Sequence, residues 1–307
     1  MFCSTIIPTI GRPTLDRAVR SVLNQELSSA DFEIIVVNDS GEPLPAADWQ
    51  NSDHVSIINT QRRERSVARN TGAAIARGKY LHFLDDDDWL LPDALQSFWN
   101  LSLTSNTAWL YGSSQLVDRS GKPLIRLQHN LEGNCFTQIM AGEWIPLQSS
   151  LIREDAFFEV GGFNPIITAS EDIDLCRRIS LKEDLSETDN IIAFIGMGTL
   201  GSTTDYERHP ILSRHARELI LNKSNVWMRM YTCSNQNYWF GRIVRTYLTS
   251  VIWNFQHHKL FTASSRLAYS IFSLIIAGHH LFSKQFWHAV TRPYKSFSFA
   301  RGYKNKC

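Results

Sequence analysis

The sequence predicts an α/β protein with a doubly wound half, a mixed-sheet half merged with it, and a helical C-terminal region. Apolar runs of strand length alternate with amphipathic helical segments through the first hundred residues. Beyond Pro210, apolar residues recur instead at three- and four-residue spacing, which is typical of helices. With 307 residues, of which 43% are hydrophobic, the chain can bury a large core. This composition excludes disordered, collagen-like and disulfide-stapled proteins.

The first hundred residues have the pattern of a parallel sheet covered by helices on both faces. The apolar run Ile34–Val37 is continuous rather than alternating, which favours an interior parallel strand. The first helix is predicted from one-sided apolar spacing at Leu15, Val19 and Val22. In chain order we predict strand CSTIIPTI, helix LDRAVRSVLNQ, strand EIIVVNDSG, strand HVSIINT, helix SVARNTGAAIARG ending at Gly78, and strand KYLHFLDDDDW.

The rest of the chain divides into a mixed-sheet part and a helical part. Short β-like pieces (TAWLYGSSQLVD, PLQSSLIR and NIIAFIG) alternate with the glycine-rich turn VGGFNP and the helix SEDIDLCRRIS. We therefore predict a main domain over residues 1–207, with halves 1–106 and 107–207. A basic, aromatic-rich helical region follows over residues 208–307.

Charge is distributed unevenly between these two parts. The net charge is only +1, yet residues 208–307 contain 15 Lys or Arg and one acid, Glu218, a net charge of +14. Residues 1–207 consequently carry 16 basic and 29 acidic residues, a net charge of −13. An acidic body suits metal chemistry or solubility, and a basic tail suits a phosphate-bearing ligand or an anionic membrane. Nucleic acid is not an expected partner.

Cysteine usage and the first residues indicate a cytoplasmic protein. The five cysteines are scattered without a CxxC pair, so neither a disulfide framework nor a zinc site is predicted. The first residues lack a basic start, and Pro8 interrupts their apolar stretch, which argues against a secretory signal.

An acidic run, Asp85–Asp88, directly follows a buried strand. The carboxyl ends of strands are where open α/β sheets bind ligands. Because side chains alternate along a strand, Asp85 and Asp87 are expected to face one way and to share a hard divalent cation. Asp86 and Asp88 would then serve other roles. The alternative is a solvated turn that caps the next helix.

Five segments, in this order, resemble the family 2 glycosyltransferases with the GT-A fold. They are TIIPTIGRP, EIIVVNDSG, RSVARNTGAAIARGKYLHFLDDDDWLLPDAL, VGGFN and SEDIDLCRRI, and the resemblance spans roughly Cys3 to His209. It implies a nucleotide-sugar-binding half at 1–106 and an acceptor half at 107–207. It also implies that Asp85 and Asp87 bind Mn²⁺ or Mg²⁺ on the donor diphosphate.

The resemblance assigns further residues to the nucleotide-sugar donor. Asp39 would accept a hydrogen bond from the base, and a carboxylate can accept from the N–H of uracil. Asn38 departs from the pattern, since many members have another aspartate there. Arg69 would lie near the diphosphate; a surface helix charge is the alternative. The remaining donor-binding residues implied are Pro8, Thr9 and Arg12 on the first loop and Asp86 in the acidic run.

Two more positions complete the implied site. The family uses a carboxylate of the ED pair as general base, which implies Asp172, with Glu171 in reserve. The alternative is ordinary helix chemistry, with Ser170 as N-cap and acids in the first turn. His209 would contact the metal or the diphosphate, or would be a surface residue.

The implied reaction is a single displacement with inversion. A sugar would pass from a nucleoside diphosphate, with UDP favoured by family frequency, to a hydroxyl of a glycan or glycolipid acceptor in cell-surface polysaccharide synthesis. One alternative is a non-catalytic sugar-nucleotide or glycan-binding module of the same fold. Another is a Mg²⁺-dependent phosphotransferase or nucleotidyltransferase, but no GxxxxGK[ST] motif occurs and NDSG lacks the DxD pattern.

The basic tail suggests a membrane partner. Aromatic and cationic side chains together suit an anionic lipid surface, and a polyprenyl-diphosphate-linked acceptor fits both features. We therefore expect peripheral attachment to the inner face of the cell membrane; the alternative is a helical bundle with solvated arginines. The segment LAYSIFSLIIAG, at 12 residues, is too short to span a bilayer. The aromatic residues expected to be exposed are Trp239, Phe240, Trp253, Phe255, Phe282, Phe286 and Trp287.

Overall fold

The computed structural model describes residues 1–27, 31–61, 64–118, 120–168, 170–197, 209–232 and 236–291. The chain divides into two compact units. The first comprises Met1–Gly133, Ile145–Leu175 and Glu183–Tyr206, and the second comprises Asn134–Trp144, Cys176–Lys182 and Glu207–Cys307. Two short segments of the predicted acceptor half thus belong to the second unit. The domain limits at 106/107 and 207/208 stay predictions.

The first unit is built on one nine-stranded sheet, in the order β3-β2-β1-β4-β8-β6-β9-β5, with β7 paired to β6. Strands β1 to β4 are parallel, whereas β8 pairs antiparallel with both β4 and β6. A parallel half therefore continues into a mixed half, as predicted. The strands are β1 (Cys3–Thr9), β2 (Phe32–Asn38), β3 (Val55–Asn59), β4 (Tyr80–Phe83), β5 (Trp89–Leu90), β6 (Trp109–Val117), β7 (Pro123–Leu127), β8 (Ser150–Arg153) and β9 (Leu185–Gly196).

Eleven α-helices are present in the described parts of the chain. The first unit contains α1, α2, α3 and α5, together with the start of α6. The second contains α4, the rest of α6, and α7 to α11. The helices are α1 (Leu15–Leu23), α2 (Arg65–Ile75), α3 (Ala94–Thr104), α4 (Phe136–Met140), α5 (Glu154–Glu159), α6 (Glu171–Ser180), α7 (His209–Leu221), α8 (Val226–Tyr231), α9 (Gln236–Gln256), α10 (Leu260–Ala277) and α11 (Lys284–Thr291).

Strand β2 is an interior strand, as its continuous apolar run predicted. It lies between β1 and β3, parallel to both, and all seven of its residues are buried. Its one buried acid, Glu33, accepts hydrogen bonds from Ser4 Oγ at 2.7 Å and from the Arg77 guanidinium at 2.6 Å. This pairing compensates the charge and joins β1, β2 and the segment before β4.

Helix α2 ends earlier than predicted, because the chain must reach the sheet before β4. The helix stops at Ile75, three residues before Gly78. A Cβ at Gly78 would lie 2.5 Å from the backbone carbonyl carbon of Cys3 and the nitrogen of Ser4. Gly78 therefore serves a close backbone approach to β1 rather than a helix end.

The second unit corrects our expectation for the aromatic residues of the tail. Trp239, Trp253 and Phe286 are buried, because they fill the space between packed helices. Phe240 is half-buried and stacks on His280. The remaining three are exposed, as predicted: Phe255, Phe282 and Trp287.

The late apolar stretch is also longer than we predicted. Helical structure runs over the 23-residue segment Leu260–Phe282, which by length and composition is long and apolar enough to cross a membrane. Only 28% of its most apolar stretch is buried in the unit. One such segment is weak support for a membrane span. The 12-residue estimate was wrong because polar residues within the helix, such as Ser264 and Arg266, shorten the uninterrupted apolar run without ending the helix.

Candidate active site

Four aspartates form a tight turn directly after β4. The strand ends at Phe83, and the N–H of Asp88 donates to the carbonyl of Asp85 over 3.1 Å. One carboxylate oxygen from each of Asp85, Asp87 and Asp88 lies within 4.8 Å of the others. Strand alternation, on which we based the pairing of Asp85 with Asp87, does not apply to residues beyond the strand. The turn brings these two together for a different reason, and it adds Asp88.

The chemistry of this three-carboxylate cluster fits a divalent cation. Carboxylate oxygens are hard ligands of the kind that Mg²⁺ and Mn²⁺ prefer. Burial, followed by the charges of Asp87 and Asp85, raises the pKa of Asp88 well above its usual value. The N–H of Gly196, at the end of β9, donates to Asp88 over 2.8 Å. A cation among these oxygens would offset the repulsion between like charges.

The fourth aspartate, Asp86, forms hydrogen bonds with the loop after β1. It accepts hydrogen bonds from Thr9 Oγ1 at 2.6 Å and from the Arg12 guanidinium at 2.7 Å. Burial raises the pKa of Asp86, and the hydrogen bond from Thr9 opposes that shift. Pro8, half-buried at the end of β1, completes this group. Four residues predicted to surround the donor thus lie together.

A buried arginine connects the acidic turn with the ED pair. Arg69, on α2, is 3% exposed and donates to Asp85 at 2.6 Å and to Glu171 at 2.8 Å. Arg65, one turn earlier, also lies 3.3 Å from Glu171. A guanidinium buried beyond reach of solvent requires such partners, because an unpaired charge there would be strongly destabilising. Arg69 is therefore not the surface charge that we considered as its alternative role.

Gln148 supports the acidic turn from a short 3₁₀ turn before β8. Its side-chain amide donates to Asp85 over 3.0 Å, and its carbonyl lies 3.1 Å from His82 Nε2. Since a carbonyl only accepts, His82 donates from Nε2 and accepts the Thr5 hydroxyl at Nδ1, 3.1 Å away. Burial lowers the pKa of His82 to about 4, so the ring is neutral at neutral pH.

The ED pair opens helix α6, with its two carboxylates in different surroundings. Glu171 is buried and ion-paired with the arginines of α2, whereas Asp172 is half-buried and accepts from the N–H of Ile173 at 2.8 Å. Ser170 does not form the side-chain cap that we considered. Its backbone φ is +70°, and its buried hydroxyl makes no hydrogen bond with the described residues. A residue held in this backbone conformation lowers the stability of the fold, and such residues are concentrated at functional sites.

Asp39 occupies the carboxyl end of β2, next to the loop after β1. Its N–H donates to the carbonyl of Thr9 over 2.8 Å. Its carboxylate accepts from Thr60 Oγ1 at 2.7 Å and from the N–H of Glu64 at 2.8 Å. These bonds hold the Asp39 carboxylate in place at this edge of the sheet.

The structure brings most of the predicted site residues to one edge of the sheet. The sequence analysis did not assign three residues to this site: Asp88, Gln148 and Arg65. The acidic run itself signalled Asp88, but nothing local marks Gln148 or Arg65, which reach the site through the tertiary fold. His209 begins α7, and its side chain lies outside the described residues.

The fold and the acidic site together are typical of nucleotide-dependent α/β proteins. Parallel strands carry acids at their carboxyl edge, with arginines that suit phosphate groups, which is the arrangement of nucleotide-dependent α/β proteins. The family model described as glycosyl transferase family 2 matches residues 4–165, more than half of the chain, and the chain belongs to this family. This match confirms the family, and with it the enzyme class, that the motifs predicted.

Similar proteins include glycosyltransferases from bacteria. The poly(ribitol-phosphate) β-N-acetylglucosaminyltransferase TarP of Staphylococcus aureus is 33% identical over 115 residues, 36% of this chain and 35% of TarP. The GalNAc(5)-diNAcBac-PP-undecaprenol β-1,3-glucosyltransferase of Campylobacter jejuni is 30% identical over 125 residues, 38% of this chain and 39% of that protein. The matches thus span little more than a third of either relative's length.

A solved structure confirms the fold. The crystal structure of S. aureus TarS 1-349 in complex with UDP-GlcNAc matches with a TM-score of 0.59 at 14% identity, covering 90% of each chain. The GT-A type α/β fold predicted from the sequence is therefore correct.

Proposed function

We propose that this chain transfers a sugar, with inversion, from a UDP-sugar to a hydroxyl of a glycan or polyprenyl-linked acceptor. The observation that carries the proposal is a pair of ionic groups that meet at the acidic turn on the carboxyl edge of the sheet, Asp87–Arg12–Asp86 and Asp85–Arg69–Glu171. They join the segments assigned to the donor with the segment assigned to the base. The UDP-GlcNAc complex of the structurally similar TarS supports UDP as the nucleotide.

A divalent cation, Mn²⁺ or Mg²⁺, fits this function. Asp85, Asp87 and Asp88 would hold it, and their negative charges would otherwise repel a diphosphate. When bound, the ion would neutralise charge that develops on the departing nucleoside diphosphate. Arg12 and Arg69 keep the acidic turn in place, since each is bonded to an aspartate of the turn.

Asp172 suits the role of general base better than Glu171 does. Glu171 is buried and paired with Arg69 and Arg65, which fix the position of its carboxylate. Asp172 is partly exposed at the start of the same helix, where an acceptor hydroxyl can approach. In this mechanism Asp172 takes the hydroxyl proton while the oxygen attacks the anomeric carbon, and the nucleoside diphosphate leaves from the opposite face.

We infer the class of acceptor from the names of two similar glycosyltransferases. The C. jejuni relative is named for an undecaprenol-diphosphate-linked acceptor, as is the WfgD glucosyltransferase of Escherichia coli. An acceptor of this kind would place the protein at the cytoplasmic face of the cell membrane, in cell-surface polysaccharide synthesis. A free glycan is the alternative acceptor.

Donor hydrolysis with a panel of UDP-sugars tests the proposal. We expect UDP release that requires Mn²⁺ or Mg²⁺ and stops when the ion is chelated. Thermal stabilisation by UDP should likewise depend on the ion, because a ligand that binds only the folded state raises the melting temperature. Binding without UDP release across the panel would instead identify a non-catalytic binding module. Phosphoryl or nucleotidyl transfer would assign the site to the other alternative class.

Replacing Gln148 by alanine tests the support of the acidic turn. The variant removes the amide that donates to Asp85, so we expect affinity for Mn²⁺ in the presence of UDP to fall by about 10-fold. Calorimetric titration of the ion measures this change. Gln96→Ala on α3, which removes an amide bonded to Asn100, is the matched control and should have no effect. Equal affinities in the two variants would exclude a supporting role for Gln148.

A further inference from the structure

Helix α10 of the second unit has its polar side buried and its apolar side exposed. Helices that pack in water bury an apolar face and expose a polar one. Small and polar residues at helix–helix contacts are typical of helices surrounded by lipid. All five buried positions of α10 are small or polar: Ala263, Arg266, Ser270, Ser273 and Ala277.

Helix α9 carries a matching polar stripe. Arg242, Thr246, Ser250 and Asn254 recur every four residues, and none is more than 3% exposed. Ser250 Oγ and Asn254 Nδ2 both donate to the carboxylate of Glu218, at 2.7 and 2.9 Å. Glu218 is the one acid among residues 208–307. The acid that would oppose an anionic surface is therefore inside the unit.

The outer surface of these helices is apolar and free of charge along α10. Between Lys259 and Lys284 the one Lys, Arg, Asp or Glu residue is Arg266, and it is buried. Exposed apolar residues clustered on one surface indicate an interaction site for a protein or a membrane. The exposed apolar residues of α9 to α11 are Leu248, Ile252, Phe255, Leu260, Phe261, Leu267, Tyr269, Ile271, Phe272, Ile275, Ile276, Phe282 and Trp287.

We infer that this surface, formed by the exposed apolar residues of α9 to α11, is inserted into the acyl-chain region of a lipid bilayer. Most polar side chains of the two buried stripes have partners within the unit, as helices in lipid require; on α10, Arg266 donates to Asn222 Oδ1 at 2.6 Å, and the Ser270 hydroxyl has no hydrogen-bond partner among the described residues. Lys259 and Lys284 flank the apolar segment, where their ammonium groups can reach the headgroups. The net charge of +14 over residues 208–307 favours an anionic leaflet. This inference does not depend on the proposed glycosyl transfer.

Insertion differs from electrostatic attachment in its response to salt. Attraction between exposed charges is screened, since the Debye length falls from about 10 Å at 0.1 M salt to about 3 Å at 1 M. Burial of apolar side chains is not screened. An inserted surface therefore stays bound in high salt and also binds uncharged vesicles, whereas a basic surface alone does neither.

Flotation of the full chain with phosphatidylcholine vesicles, with and without phosphatidylglycerol, tests the inference. We expect binding to both kinds of vesicle, stronger with the anionic lipid, and retention at about 1 M salt. Fluorescence of Trp287, taken as the difference between the chain and Trp287→Phe, should be quenched by lipids brominated in their acyl chains. Binding that vanishes in high salt or on uncharged vesicles would overturn insertion.

A matched pair of variants locates the contact. Ile271 and Ile275 lie one turn apart on the exposed side of α10, and the double variant Ile271→Asp/Ile275→Asp should lower partitioning by about 100-fold or more. Leu103→Asp/Ile166→Asp, at exposed apolar positions of the first unit, should leave it unchanged. Circular dichroism verifies that both variants fold. Equal partitioning of the two variants would overturn the assignment.

Other occupants of this surface give different results in the same experiment. A second copy of the chain would produce a dimer in lipid-free buffer that dissociates in the Ile271→Asp/Ile275→Asp variant, seen by light scattering. If the chain's own residues 292–307 covered this surface, the protein would be a monomer that binds vesicles only after those residues are deleted. Either result would overturn insertion of this face in the intact protein.

Discussion

Replacing Asp87 by asparagine is expected to abolish sugar transfer and to remove the metal dependence of nucleotide binding. Asp87 contributes one of three carboxylates whose oxygens lie within 4.8 Å of one another. Loss of a charged ligand from a cation that neutralises a leaving diphosphate costs several kcal/mol, which corresponds to about 10³-fold or more in rate. Calorimetric titration of UDP with and without Mn²⁺ measures the binding effect, and UDP release measures the rate.

Two further variants make the Asp87 experiment specific. Asp93→Asn, at the exposed residue before α3, changes an acid of the same segment outside the cluster and should leave binding and rate unchanged. Asp85→Asn should weaken metal-dependent binding less than Asp87→Asn. It should also lower the melting temperature, because Asp85 pairs with the buried Arg69. An unchanged metal dependence in both Asp85→Asn and Asp87→Asn would disprove the site.

Replacing Asp172 by asparagine is expected to leave donor binding intact while kcat for transfer falls by about 10²-fold or more. Asparagine keeps the size of the side chain but cannot accept the proton of the acceptor hydroxyl. General-base catalysis is typically worth about 10² to 10⁴ in rate, and removing it leaves the affinity for the donor unaltered. Steady-state transfer kinetics and UDP titration separate the two effects.

Glu171→Gln is the matched comparison for Asp172→Asn. Glutamine weakens the ion pairs with Arg69 and Arg65, so we expect a lower melting temperature and a smaller loss of kcat. The reverse order, with Glu171→Gln the more severe variant in kcat, would exchange the two roles. Equal, small effects of both variants would place the base elsewhere in the chain.

Prediction from sequence worked well where neighbours along the chain decide the structure. The continuous apolar run of β2 identified an interior parallel strand, because a strand covered on both faces has no polar side. Prediction failed where the partner of a side chain lies far away. Trp239 and Trp253 are buried although their segment is basic, because other helices of the second unit cover them.

The acidic turn, Asp85–Asp88, contains one correct prediction and one incorrect prediction. The run of aspartates after a buried strand was enough to locate a candidate metal site, since the carboxyl ends of parallel strands share one edge. Which of these aspartates can share a cation does not follow from the local sequence. Strand alternation left out Asp88, whereas the turn closed by the Asp88 N–H brings its carboxylate to Asp85 and Asp87.

The sequence by itself determined the family, the parallel half and the acidic edge of the sheet, because periodicity and motif order are properties of neighbouring residues. Only the tertiary structure showed that Arg69 contacts Glu171, 102 positions further along the chain. It also showed that α10 buries Ser270 and Ser273 and exposes its isoleucines. Such pairings depend on which surfaces meet after folding. A local pattern gives the polarity of each helix face but does not identify the surface or solvent that the face will contact.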